Sequence, residues 1–87
     1  MGMDLVIDRA ATKVLARIQP KLAASMLRRM EAIADNPTAR HANVETLQGL
    51  KDAFRLRHGD WRIVYEIDTA MNVVRVTRIG SRGQVYR

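Results

Sequence analysis

Arginine is the first chemistry the chain offers. Of the eight basic side chains in residues 51–87, seven are arginine (Arg55, Arg57, Arg62, Arg75, Arg78, Arg82 and Arg87), set against four carboxylates; the first fifty residues hold seven basic and five acidic side chains. The rigid guanidinium fork matches the oxygens of a phosphate two at a time, whereas lysine acts as a point charge. A surface that grips the phosphates of a nucleic acid, RNA in the first place, is the expectation. A basic surface that serves only solubility would have the same net charge of +6.

Spacing sharpens this. Phe54 and Leu56 alternate with Arg55 and Arg57, Gly59-Asp60 intervenes, and Trp61, Ile63, Tyr65 and Ile67 alternate with Arg62, Val64 and Glu66. Period-two alternation on either side of a two-residue Gly-first turn predicts a β-hairpin of type II′. Its register follows from the turn: Leu56 faces Ile63, Phe54 faces Tyr65, and Arg57 faces Arg62. A third strand, Val73 to Ile79, returns antiparallel and pairs Ile67 with Val74, Tyr65 with Val76, and Glu66 with Arg75, which keeps the apolar parity. One face of the sheet is then apolar, Trp61 included, and the other presents Arg55, Arg57, Arg62, Arg75 and Glu66 with Val64 and Ile79.

Arginines directly opposite each other repel, so Arg57 across from Arg62 costs stability unless an anion sits between them. The plainer reading is a polar solvent face that Glu66 partly neutralises. The tail Gly80-Ser81-Arg82-Gly83-Gln84-Val85-Tyr86-Arg87 leaves the third strand beside Arg62, which brings Arg82 and Tyr86 to the same surface. Two readings stand for Tyr86. A phenol, with its reference pKa near ~10, becomes a usable acid or base among arginines; a hydrophobic clasp for the terminus needs no chemistry.

Other chemistries fail on inventory. Ser81 lies in Gly-Ser-Arg-Gly rather than a nucleophile elbow. His41 and His58 stand apart with no carboxylate cluster at ligand spacing, which speaks against a metal site; both read as surface residues, with His58 near enough to the arginines to be a remote acid or base candidate. The five glycines form neither G-x-G-x-x-G nor a P-loop, and no cofactor is expected. Zero cysteines exclude disulfides and thiolates and suit a reducing cytoplasm. No apolar run approaches the ~20 residues that cross a bilayer, and the start of the chain lacks a signal-peptide pattern, so no membrane contact is expected.

The elements that must position the arginines are read as follows. Asp4 to Ile7 is a short first strand, with Asp8 as the N-cap of a helix whose stripe is Ala10, Val14 and Ile18 beside Ala11 and Leu15. Pro20 ends that helix and starts a second, lined by Leu22, Met26, Met30 and Ile33 and stopped at Asp35-Asn36-Pro37. Met26 and Met30 read as core, and Arg28 and Arg29, on the opposite side, as solvated. Residues 38 to 52 carry few periodic signals and read as a connecting segment. At 87 residues with 47% hydrophobic side chains, the chain has room for one core and reads as a single domain over 1–87. The expected fold is α+β: an N-terminal strand and αα-hairpin packed on one face of a twisted, mainly antiparallel sheet of about four strands, in the order β-α-α-β-β-β.

With these residues in place, the sequence resembles the RelE branch of the RelE/ParE superfamily of bacterial toxins. The resemblance rests on Leu47-Gln48-Gly49, on Phe54-Arg55-Leu56-Arg57, on Gly59-Asp60-Trp61-Arg62-Ile63-Val64-Tyr65-Glu66-Ile67, and on Arg82 with Val85-Tyr86-Arg87. It implies the toxin of a toxin-antitoxin system, a ribosome-dependent endoribonuclease that cuts messenger RNA in the decoding site by metal-free attack of a ribose 2′-hydroxyl on the adjacent phosphate. It implies catalytic roles at Arg55, Arg57, Arg62, Arg82 and Tyr86, RNA contacts at Arg75, Arg78 and Arg87, and a cognate antitoxin as partner. Arginine stands at 55 and 57 where some relatives carry lysine, which shifts the expected base towards Tyr86. The rival implications are a ParE-like poison of DNA gyrase and a non-catalytic module that binds nucleic acid or an antitoxin.

Overall fold

A computed structural model describes residues 2–81. The elements are β1 (Asp4–Ile7), α1 (Arg9–Arg17), α2 (Pro20–Asp35), β2 (Val44–Thr46), β3 (Ala53–His58), β4 (Trp61–Asp68) and β5 (Val73–Ser81). The strands form one sheet in the order β1-β5-β4-β3-β2, with β1 parallel to β5 and every other pair antiparallel.

Both helices lie on one face of this sheet, because their apolar stripes match its apolar parity. Ala11 of α1 and Met26, Met30, Ile33 and Ala34 of α2 are buried against Leu56, Ile63, Tyr65, Val74, Val76 and Ile79. The methionines are therefore core, and Trp61 packs on the same cluster. Pro20 occupies the first helical turn of α2, where its missing N–H loses nothing. Asp8 stands at the N-cap of α1 but makes no side-chain cap bond; its carboxylate lies 3.6 Å from Arg75 instead.

The hairpin has the register its alternation demands: Leu56 opposite Ile63, Phe54 opposite Tyr65, Arg57 opposite Arg62. Gly59 takes φ +61° while Asp60 stays out of the positive region, the requirement of a type II′ turn. The rings of Phe54 and Tyr65 stack across the strands with centroids 5.3 Å apart.

Two expectations change. The sheet has five strands rather than about four, because β2 forms inside the segment read as a connector. Three residues are too few to show a period; β2 exists because Val44, Glu45 and Thr46 pair with Leu56, Arg55 and Phe54 on the edge of β3.

The second change is a β-bulge in β5. Tyr65 pairs with Val76 but Val64 pairs with Arg78, so Thr77 is the extra residue. Past it the parity of β5 inverts: Ile79, expected on the arginine face, lies opposite Ile63 and is buried in the core. Arg78, which strict alternation would aim at the helices, comes out on the arginine face and is exposed. Burying Ile79 and solvating Arg78 both favour the bulge over a regular ladder.

Candidate nucleic-acid interface

The face of the sheet turned away from the helices carries the site, and β2, β3 and β4 position it. Arg57 and Arg62 lie opposite each other at the turn end of the hairpin, and Gly80 of β5 is the next residue across from Arg62. Arg62 is only 8% exposed. Its Nη1 donates to the carbonyls of Gly59 and Trp61, each at 2.9 Å, and among the described residues no carboxylate pairs with it. Burying a guanidinium without a carboxylate leaves a preorganised positive charge for an incoming anion.

Asn43, Val44, Glu45, Arg57 and Arg62 line an open hollow of about 250 Å³. Arg57 donates through Nη2 to Asn43 Oδ1 at 3.0 Å. Arg55 forms an ion pair with Glu45, with Nε 3.0 Å from Oε1 and Nη2 on the same oxygen. That hydrogen bond and the charge of Arg55, followed by the charges of Arg57 and Arg62, hold the Glu45 carboxyl below its usual value against the opposing effect of burial. The hollow thus combines a buried arginine, a second arginine tethered by an amide, and an ionised carboxylate that is 60% exposed. Such a set can bind a phosphate and exchange a proton beside it.

Of the residues expected in the site, the structure brings Arg57 and Arg62 into one hollow and sets Arg55 on its rim through Glu45. Arg78 follows on the same face, in the cross-strand row Glu45, Arg55, Val64, Arg78. Arg75 lies further along, opposite Glu66 and beside Asp8. Arg82, Tyr86 and Arg87 fall outside the described residues. Sequence reasoning missed Asn43 and Glu45. The one signal for them was Val44-Glu45-Thr46 as a possible partner for Phe54-Arg55-Leu56, with opposite charges at its centre.

Two expectations about nearby residues are corrected. His58 is half-buried on the helix side of the sheet, where its Nε2 is hydrogen-bonded to Ser25 Oγ at 2.7 Å, so it does not face the hollow. Arg29 is half-buried rather than solvated, and its Nη2 donates to the carbonyl of Ala42 at 2.7 Å. Tyr65 is no acid or base for the site either: burial, partly offset by Arg29, pushes its phenol up to about 12.

Burial, and then the charge of Arg29, pull His58 below its ordinary value. The unfolded chain therefore takes up a proton at His58 before the folded protein does, so stability is fully present above the unfolded value of ~6.5 and declines as pH falls through it towards the folded one. Thermal melts between pH 7.5 and 5 should show this decline, and His58→Gln should flatten it. An equal slope in both proteins would rule out His58 as the titrating group.

Among the described residues, no group of three or more His, Cys, Asp or Glu side chains converges as metal ligands would, and no helix is long and apolar enough to cross a membrane. Residues 5–86 match the model of a family described as the ParE toxin of type II toxin-antitoxin system, parDE. Among solved structures, the toxin of the archaeal RelE-RelB complex from Pyrococcus horikoshii OT3 superposes with a TM-score of 0.81 at 23% identity, over 97% of this chain and 99% of that one. The isolated E. coli RelE toxin gives 0.78 at 23% identity, over 97% and 90%, and the YoeB/ParE toxin from Agrobacterium tumefaciens 0.76 at 16%, over 92% and 99%. These likenesses establish the fold. A comparison with curated proteins returned no match.

Proposed function

Because the chain belongs to the ParE toxin family of type II toxin-antitoxin systems, within the RelE/ParE superfamily, we propose that this toxin is an endoribonuclease that cuts messenger RNA in the decoding site of the ribosome. The observation that carries the reading is the hollow in which a buried Arg62 and an amide-tethered Arg57 flank the carboxylate of Glu45. A phosphodiester is the anion that makes use of all three.

The scissile phosphate sits between Arg57 and Arg62. The ribose 2′-oxygen attacks the adjacent phosphorus, its proton passes to Glu45, and the P–O5′ bond breaks, leaving a 2′,3′-cyclic phosphate and a 5′-hydroxyl. Arg62 stabilises the charge that develops on the pentavalent phosphorus, a preorganised contribution of the kind worth several kcal/mol. In the free toxin the surrounding arginines weaken Glu45 as a base. An RNA phosphate that takes over Arg57 and Arg62 adds a negative charge beside it and raises its basicity when it is needed. Tyr86, which the sequence offered as the base, serves in this reading as the donor to the departing 5′-oxygen instead, since a phenol keeps its proton at neutral pH. Arg82, also assigned from the sequence, shares the phosphorane charge, and Arg55, Arg75, Arg78 and Arg87 hold the RNA backbone. As the resemblance to RelE implies, no metal ion takes part. The toxin acts in the cytoplasm and is held inactive by a cognate antitoxin, as a partner of the kind found in the RelB-RelE complexes.

The family description itself, which names ParE, favours a second reading: a poison of DNA gyrase. Brief expression followed by mapping of transcript 5′ ends and chromosome integrity separates the two. Breaks clustered in translated reading frames are the expected result; intact transcripts with a broken chromosome would transfer the assignment to gyrase.

A further inference from the structure

We propose that Arg29 of α2 is a positioning residue for Arg57, acting from the opposite side of the sheet through the loop that carries Asn43; the inference rests on the RNA-cleaving reading of the hollow. Asn43 grips Arg57 at both ends. Its carbonyl accepts the Arg57 backbone N–H at 2.9 Å, and its side-chain oxygen accepts Nη2 of the same residue at 3.0 Å. For both bonds to form, Asn43 takes φ +63°, a left-handed conformation that asparagine tolerates better than most residues.

The weak point is what holds Asn43. It is exposed, it precedes a three-residue edge strand, and it ends a loop that begins at the C-terminus of α2. His41 folds back on Asn36 at 2.8 Å and so ties the loop only to its own base. Arg29 reaches from the packed body of α2, between the core residues Met26 and Met30, to the carbonyl of Ala42, the residue directly before Asn43. The chain of contacts therefore runs from the core to the hollow: α2, Arg29, Ala42, Asn43, Arg57. A guanidinium that must meet a phosphate within a fraction of an ångström benefits from such a strut, since a displacement of about 1 Å can cost ~100-fold in rate.

The test is a double-mutant cycle on cleavage of ribosome-bound message. Arg29→Met keeps the apolar stem against the core and removes the guanidinium. It should lower kcat roughly 10- to 100-fold and change KM less than about threefold, while Arg29→Lys, which keeps a donor, restores most of the rate. In an Arg57→Ala background the same Arg29→Met change should cost less than about twofold, because a residue that acts through Arg57 has nothing left to position. Full activity of Arg29→Met, or a loss of equal size in both backgrounds, would overturn the proposal. If Arg29→Met does not fold, Arg29→Gln, which drops the charge and shortens the reach to Ala42, is read in its place: a loss that vanishes in the Arg57→Ala background supports the proposal, and no loss, or a loss that persists there, overturns it. The side-chain Nε–Hε resonance of Arg57, identified by its disappearance in Arg57→Lys, provides an arm independent of activity. It should shift and broaden in Arg29→Met. If the wild-type toxin cleaves no message the RNA reading fails by itself, and an unmoved Arg57 resonance separately refutes the positioning role.

Discussion

Replacing Arg62 with alanine lowers the rate of message cleavage by roughly 100- to 1,000-fold, the usual consequence of removing one preorganised charge from a phosphoryl or acyl transition state. The size of the effect follows from burial. Arg62 is 8% exposed, and its Nη1 is committed to two backbone carbonyls, so the guanidinium is already fixed before RNA arrives and needs no reorganisation during the reaction. Arg62→Lys should recover little, because an ammonium cannot keep both carbonyls and also face a phosphate with a planar fork. The hairpin should remain folded: Gly59 is exposed and Trp61 only half-buried, so water can replace the lost donor at both carbonyls. Single-turnover cleavage and thermal melts measured together check this. A folded Arg62→Ala protein that cuts RNA within about threefold of the wild-type rate would remove the hollow as the active site.

Glu45→Gln is expected to separate binding from chemistry. Loss of a proton acceptor typically costs ~100- to 10,000-fold in rate, so kcat should fall steeply. RNA binding should nevertheless tighten, because a negative charge has been taken from among Arg55, Arg57 and Arg62. A purely structural Glu45, one that only anchors Arg55, would weaken both together. Those three arginines hold the carboxyl of the free toxin below its ordinary range, so Glu45 is ionised above that depressed value, and kcat/KM, which reports the free enzyme, should fall only as pH drops through it. The acid limb should be absent from whatever activity Glu45→Gln retains. If the variant cuts at the wild-type rate, the proton goes elsewhere, and Tyr86 becomes the acceptor to test.

Much of the site was legible in the sequence, and residue types explain why. Alternation in Phe54-Arg55-Leu56-Arg57 and in Trp61-Arg62-Ile63-Val64-Tyr65 is a local property: once one face must be buried, the period of two places Arg57 and Arg62 together on the other. The Gly59-Asp60 turn then sets the register without help from the rest of the chain. Pro20, Asp8 and the apolar stripes of α1 and α2 are signals of the same local kind, and the helix pair followed from them.

Glu45 and Asn43 were hidden because β2 has no pattern of its own; it is a strand only by virtue of the β3 edge beside it. The bulge was hidden because alternation assumes a regular ladder, although Val76 and Ile79, three residues apart and both strongly apolar, could share a face only if one residue between them were extruded. Arg29 read as solvated because a helical wheel shows which way a side chain leaves its helix but not which loop comes to meet it.

The sequence by itself determined the face on which the arginines gather, since burying the alternate side chains of a hairpin leaves no other place for them. Only the tertiary structure decided what stands among them: a carboxylate brought in by an edge strand, an amide at the end of a loop, and Arg78 turned outward by one extra residue in β5. Pairings between distant segments place these three, and such pairings depend on which surfaces remain free once the local elements have formed.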